Sequence, residues 1–329
     1  GADEYFVETE KALNTLIKLT IPIISSPMDT VTESKMAFSM RASGGLGIIH
    51  RYNTIVEQCD LVSNAVESFV EHSMAPLVGA AVGVSEDLED RSVALYDAGA
   101  RVLCIDIAHG DHILMKNALK LLRSLFGSEI HIMAGNVATL AGFDRLAKWG
   151  ANSIRVGIGG GSICSTRIVT GHGIPTLQSV LDCAQSSSPA SLIADGGIRT
   201  SGDIAKALAA GADCVMLGSM LAGTEEASCD TFYVNSVPYK SYRGMSSVEA
   251  QMDWRGHTAS IEGVVSKVRP KGPVEGVLGR LRRDLSSALS YSGAKDLQSF
   301  RGHAGFVRVT QSGVTESQAH IYNRPPEYN

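Results

Sequence analysis

"SLIADGGIRTSGDIAKALAAGADCVMLGS", residues 191–219, carries the architecture of the chain in one strand–helix–strand unit. "SLIADGG" (191–197) and "CVMLGS" (214–219) are short and aliphatic. They do not alternate with polar residues, as expected of strands buried on both faces. Between them, "TSGDIAKALAAGA" (200–212) opens on Thr and Ser and stops on Gly, the marks of a helix start and end.

The same plan repeats upstream. Strand-length apolar runs read "IPIIS" (21–25), "GLGIIH" (45–50), "VGAAV" (78–82), "VLCIDI" (102–107), "HIMAGNV" (131–137) and "SIRVGI" (153–158). "SEDLEDRSVALYDAGA" (85–100) opens on Ser85 and acidic residues, and "TLAGFDRLAKWGA" (139–151) opens on Thr139; both read as helices. Eight strands alternating with helices predict an α/β fold, a closed (β/α)8 TIM barrel forming a single domain over 1–329. A doubly wound open sheet is the alternative. It lacks its expected opening, a strand–GxGxxG–helix with an acidic partner.

Chemistry in a barrel gathers at the C-terminal ends of the strands. There this chain carries "HRYN" (50–53), "DIAHGDH" (106–112), "GNVAT" (135–139), a glycine-rich loop around Cys164, "DGGIRT" (195–200) and "GSMLAGTEE" (218–226). Residues 234–276 are polar and Gly-punctuated and read as a long active-site flap. Residues 277–329 read as closing helices and a tail.

With 329 residues, 44% hydrophobic, the chain can bury a large core. Its net charge of −5 argues against a broad nucleic-acid surface. No apolar run approaches the ~18 residues of a membrane span. "GADEYFVETE" (1–10) is acidic and unlike a signal peptide. Six dispersed cysteines without a C-x-x-C pair suit reduced thiols in a cytoplasmic protein.

The glycines of "DGGIRT" and "GSMLAG", with the Ser219 hydroxyl, form a phosphate cradle or else tight turns. Asp195 holds ligand hydroxyls or caps the following helix. Cys164, in "GIGGGSICSTR" (157–167), is incidental or a thiolate nucleophile, with Arg167 and the glycine backbone as candidates to lower its pKa. Taken alone, Glu262 reads as a solvated loop glutamate. His109 and His112 lack a third metal ligand and read as structural.

"PMDTVTE" (27–33), "GGLGIIHRYN" (44–53), "GNVAT", "VGIGGGSICSTR" (156–167), residues 194–226 and "YKSYRGMSS" (239–247) together closely resemble the family of IMP dehydrogenase and GMP reductase. The resemblance covers roughly residues 20–320. It implies a (β/α)8 barrel, a homotetramer and a purine nucleotide substrate. It implies that Cys164 attacks C2 of the purine and that Thr166 helps to activate the leaving or entering group. Ser162, Asp195, Gly197, Gly218, Ser219 and Tyr242 match nucleotide-binding positions, and Gly244 and Met245 match the base-contacting segment. Glu262-Gly263, ahead of Lys271-Gly272, matches a catalytic motif. Asp106 and Arg51 fall on the cofactor side. The carbonyls of Gly159, Gly161 and Cys164, with Glu316 of a neighbouring copy, match a potassium site.

Both activities share a covalent thioimidate on the cysteine. A dehydrogenase passes hydride from IMP to NAD and hydrolyses the intermediate to XMP, using an Arg-Tyr pair on a mobile flap. A reductase expels ammonia from GMP and takes hydride from NADPH. Between Met245 and Glu262 this chain has no Arg-Tyr, only "WRGH" (254–257), and no regulatory domain follows the second strand's helix. Both features resemble a GMP reductase using NADPH. "MDTVTE", "GSICSTRIVTG" and "GVTESQAH" (313–320) resemble a dehydrogenase using NAD. Gly160 and Ser165 stand where the family has proline and threonine. No opening "DDVLLVP"-like segment is recognisable in "GADEYFVETE". A flavin-dependent barrel enzyme and a non-catalytic nucleotide sensor are the rival classes.

Overall fold

The structure, a computed structural model, describes residues 17–259 and 261–317. The first half runs β1 (Ile23–Ser25), α1 (Ser34–Ala42), β2 (Leu46–Ile49), α2 (Ile55–Glu71), β3 (Gly79–Val82), α3 (Leu88–Asp97), β4 (Val102–Asp106) and α4 (Ile113–Phe126). The second runs β5 (His131–Val137), α5 (Leu140–Lys148), β6 (Ser153–Val156), α6 (Thr166–Thr170), α7 (Thr176–Cys183), β7 (Ser191–Asp195), α8 (Ser201–Ala209) and β8 (Cys214–Leu217). The eight strands form a closed parallel barrel in sequence order. β8 returns to β1 with Ile23 opposite Val215 and Ser25 opposite Leu217.

Closure explains why the strand runs do not alternate. In β8, Cys214 and Met216 join Ile24, Ile48, Met133 and Ile193 in a core inside the barrel. Val215 and Leu217 belong instead to the outer core between strands and helices, which also holds Met36, Leu95 and Leu146. Both faces are dry, so both are apolar.

The helix signals are physical caps in two of the three helices. The Thr200 hydroxyl accepts from the Asp203 N–H at 3.1 Å and that of Thr139 from the Gly142 N–H at 3.2 Å. The helix read from Ser85 begins later. Ser85 instead donates to the Asp87 carboxylate at 2.6 Å, and α3 starts at Leu88.

Residues 234–276 are not one long loop. β9 (Thr231–Val234), β10 (Val237–Arg243) and, after α9 (Val248–Arg255), β11 (Val265–Val268) form a three-stranded antiparallel sheet in the order β11-β10-β9. Its apolar signal is weak because only the central strand buries side chains, Lys240 and Tyr242. The turn between β9 and β10 is Asn235-Ser236, both at positive φ, a two-residue hairpin without the glycine that usually announces one. The Lys240 ammonium donates to the carbonyls of Thr224, Glu225 and Ala227 and so anchors this sheet to the chain leaving β8.

α10 (Val274–Tyr291) begins inside the segment read as flap. It buries Val277, Leu278, Leu281, Leu285 and Leu289 at helical spacing. α11 (Leu297–His303) and α12 (Gln311–Glu316) follow. "GADEYFVETE" lies outside the described residues. No described helix is long and apolar enough to cross a membrane.

Candidate active site

A cavity of about 280 Å³ opens at the C-terminal mouth of the barrel. Its wall includes Cys164, Thr166, Glu262, Ser162, Asp195, Gly197, Gly218, Ser219, Tyr242, Gly244, Met245, Asp106, Arg51, Gly159 and Gly161. Of the residues singled out from sequence for a site role, Glu316 and Arg167 are absent from it. Glu316 ends α12 on an exposed surface.

On one side, the half-buried Cys164 thiol donates to Thr166 Oγ1 at 3.1 Å, and the Thr166 hydroxyl donates to Glu262 Oε2 at 2.7 Å. Thiol, hydroxyl and carboxylate thus form a continuous proton path whose Thr166–Glu262 link joins residues 96 positions apart. Backbone pairing fixes the partners. The Ser165 N–H donates to the Glu262 carbonyl at 2.9 Å, Val264 N–H to Ile163 O at 3.0 Å, and Glu262 N–H to Ser246 O at 3.2 Å. Gly263 is needed for this approach, because a Cβ there would lie 3.0 Å from Ser247 N and 3.3 Å from Gly244 Cα.

Arg167 does not reach for the thiol. Its side chain lies along Gly159 and Gly173, and its guanidinium donates to the Ile174 carbonyl at 2.7 Å. It braces the loop. Gly160, where a proline is usual, abuts Thr176; a Cβ at that position would lie 2.4 Å from Thr176 Oγ1.

Gly196 and Gly197 also line the cavity, and both take positive φ, backbone geometry of the kind found in anion-binding turns. The buried Tyr242 hydroxyl meets the side chains of Ser162 and Ser219. Burial raises the Tyr242 phenol above its ordinary value, so this cluster is neutral and rich in donors. Gly218 lets Tyr242 in: a Cβ at Gly218 would sit 2.9 Å from its hydroxyl.

The cavity floor is a charge network. Arg155 donates to Asp106 at 2.5 Å and to Asp195 at 2.8 Å, and Asn136 donates to Asp195 at 2.8 Å. Burial works against the Arg155 charge, but the two aspartates overcome it and hold its pKa well above the ordinary value. Asp195 is not a helix cap, since Thr200 caps α8. Sequence reasoning missed Asn136 and Arg155. The available signal was a lone arginine in the apolar run "SIRVGI" and the asparagine of "GNVAT". Arg51 stands beside this floor, 3.9 Å from Asp106, and its buried Nε has no hydrogen-bond partner among the described residues.

The basic residues of "WRGH" stay outside the cavity. Arg255 is exposed and its guanidinium bonds Gln251; His257 is exposed and its ring contacts the Arg255 carbonyl at 2.9 Å. His112 caps α4 by accepting from the Leu114 N–H, and no described cluster of three or more His, Cys, Asp or Glu is poised for a metal. All six cysteines are free.

Residues 3–320 match the IMP dehydrogenase / GMP reductase domain family. An inosine-5'-monophosphate dehydrogenase of Cryptosporidium parvum is 36% identical over 95% of this chain and 90% of its own. That of Nitrosopumilus maritimus is 42% identical over 74% of this chain and 54% of its own. Among solved structures, a GMP reductase variant from Trypanosoma brucei in complex with guanosine 5'-monophosphate superposes with a TM-score of 0.88 at 31% identity, covering 97% of this chain and 94% of that one.

Proposed function

The chain belongs to the IMP dehydrogenase / GMP reductase family, oxidoreductases acting on purine nucleotides with nicotinamide cofactors, and from that premise we propose that it is a GMP reductase, converting GMP and NADPH to IMP, ammonia and NADP. The observation that carries this reading is the position of Arg255 and His257, exposed and bonded within their own segment. Hydrolysis of a thioimidate needs a base that activates water. The chain lacks the Arg-Tyr pair, and its nearest substitutes lie outside the cavity. Ammonia release needs only a proton donor at the leaving amine. The Thr166 hydroxyl, backed by Glu262, suits that role.

In this reading the Cys164 proton passes to Thr166 and on to Glu262 as sulfur attacks C2 of the purine. The same path returns a proton to the departing amine. The glycines of 196–197, with Ser162, Ser219 and Tyr242, hold the phosphate, and Asp195 the ribose hydroxyls. Gly244 and Met245 face the base. The unpartnered Arg51 Nε, beside Asp106, fits an acceptor on the dinucleotide. Hydride donated by NADPH to C2 then breaks the C2–S bond, which frees IMP and NADP and returns the Cys164 sulfur as a thiolate.

The names of the curated relatives favour a second reading, IMP oxidation with NAD. Absorbance at 340 nm separates the two. GMP with NADPH loses absorbance and releases ammonia if the first reading holds; IMP with NAD gains absorbance if the second does. The resemblance also leads us to propose a homotetramer in which Glu316 of one copy meets the carbonyls of Gly159, Gly161 and Cys164 of another around potassium. Sedimentation and potassium dependence of turnover test it.

A further inference from the structure

Tyr52 follows β2 on the barrel rim, and the reaction above does not use it. Its hydroxyl nevertheless donates to the backbone carbonyl of Met245 at 2.7 Å, across 193 positions of sequence. Its ring lies against Trp254 of α9, with centroids 5.7 Å apart and planes 15° from parallel. The Arg91 guanidinium lies 6.0 Å from the Trp254 ring centroid. Burial raises the Tyr52 phenol above its ordinary value, against the opposing charges of Arg51 and Arg255, so the hydroxyl is protonated and donates at neutral pH.

The turn that Tyr52 grips is held from its other side as well. The Met245 thioether accepts from the Asp29 N–H at 3.4 Å. The Ser246 carbonyl accepts from the Glu262 N–H and from the Gln251 side chain. Arg243, just before the turn, bridges Asp29 and Asp253 at 2.6 Å each. A peptide unit is planar, so fixing the Met245 carbonyl also fixes the Ser246 N–H on the opposite edge. Both residues line the cavity.

We propose that Tyr52 is a positioning residue for nucleotide binding: its hydroxyl clamps the Met245–Ser246 peptide that faces the base while its ring clasps Trp254, joining the flap helix to the barrel rim. The inference rests on the purine-nucleotide reading of the cavity. It assigns Tyr52 to binding and not to the chemical step.

Trp149 and Trp254 are the two tryptophans, so Trp149→Phe leaves Trp254 as the sole tryptophan, excited on the red edge where the tyrosines do not absorb. In that background, GMP and IMP are titrated without cofactor, acrylamide quenching of Trp254 is measured, and turnover is split into kcat and KM. Tyr52→Phe keeps the ring and loses the hydroxyl. It raises the Kd for nucleotide about fivefold, the scale of one hydrogen bond, with kcat and Trp254 quenching unchanged. Tyr52→Leu loses both contacts; it raises Kd further and makes Trp254 more accessible to quencher. A Tyr52→Phe protein with wild-type Kd, or one that loses kcat at unchanged Kd, overturns the assignment. Equal quenching of Trp254 in Tyr52→Leu overturns the clasp. A parent protein that binds neither nucleotide fails the cavity reading itself, a different result from binding that Tyr52 does not influence.

Discussion

The floor and the roof of the cavity are built on opposite principles. On the floor, Arg155, Asp106, Asp195 and Asn136 hold one another with direct side-chain bonds inside the barrel mouth. On the roof, Glu262 and Met245 are fixed by the backbone and by distant side chains. The floor gains its order from charge pairing around a buried guanidinium, which makes its geometry rigid. The roof borrows rigidity from main-chain bonds and leaves a thiol, a hydroxyl and a carboxylate able to exchange protons. Substitutions on the floor should therefore damage folding first, and those on the roof turnover first.

Cys164→Ser is the most severe test of the roof. Turnover falls about ten-thousandfold or more while thermal stability and nucleotide affinity stay near wild type, because the covalent route is lost but the phosphate and base contacts remain. Steady-state rates beside a binding titration measure both. The floor counterpart is Arg155→Met, which leaves two half-buried carboxylates without the buried cation between them. A loss of about 3–5 kcal/mol in denaturant unfolding is expected. Adding Asp106→Asn recovers part of it. If Arg155→Met unfolds like the parent protein, the contrast between floor and roof collapses.

Glu262→Gln keeps the shape and the backbone bridge but removes the proton acceptor behind Thr166. Turnover drops about a hundredfold with little change in melting temperature. Gly160→Ala probes the thiol loop. Its Cβ meets Thr176 Oγ1 at 2.4 Å, and strain of about 1–3 kcal/mol is expected. Thr176→Ala in the same chain relieves that strain, which a thermal melt of the pair shows. The smallest effects belong to Arg255→Ala and His257→Ala, with GMP turnover within about twofold of wild type, as for exposed side chains away from the chemistry. Robust XMP formation that collapses in either variant reverses the direction proposed for the reaction.

The barrel was legible in the sequence because its signals are local. The strands are short, mainly apolar runs, and helices begin on residues such as Thr139 and Thr200, whose hydroxyls cap their own first turns. The glycines of "DGGIRT" and the cysteine of "GSICSTR" were legible for the same reason: turn geometry and an unusual residue in an exposed loop are visible within a few positions. The small sheet of residues 231–268 was not. One buried strand with two exposed edges gives no hydrophobic period, and Asn235-Ser236 is a weak hairpin signal. Glu262 by itself looked like a solvated loop residue, and only its likeness to a known motif raised it.

By itself, then, the sequence determined which segments are strands, which end of each faces the chemistry, and which residue types gather there. It left open who meets whom. Arg155 looked like an isolated charge until closure of β4, β6 and β7 set Asp106 and Asp195 beside it. Thr166 met Glu262, and Tyr52 met Met245, only when the sheet after β8 folded back over the mouth. Apolar periodicity and capping act over a few residues, whereas these contacts depend on strand register and barrel closure, which exist only once the whole chain has packed.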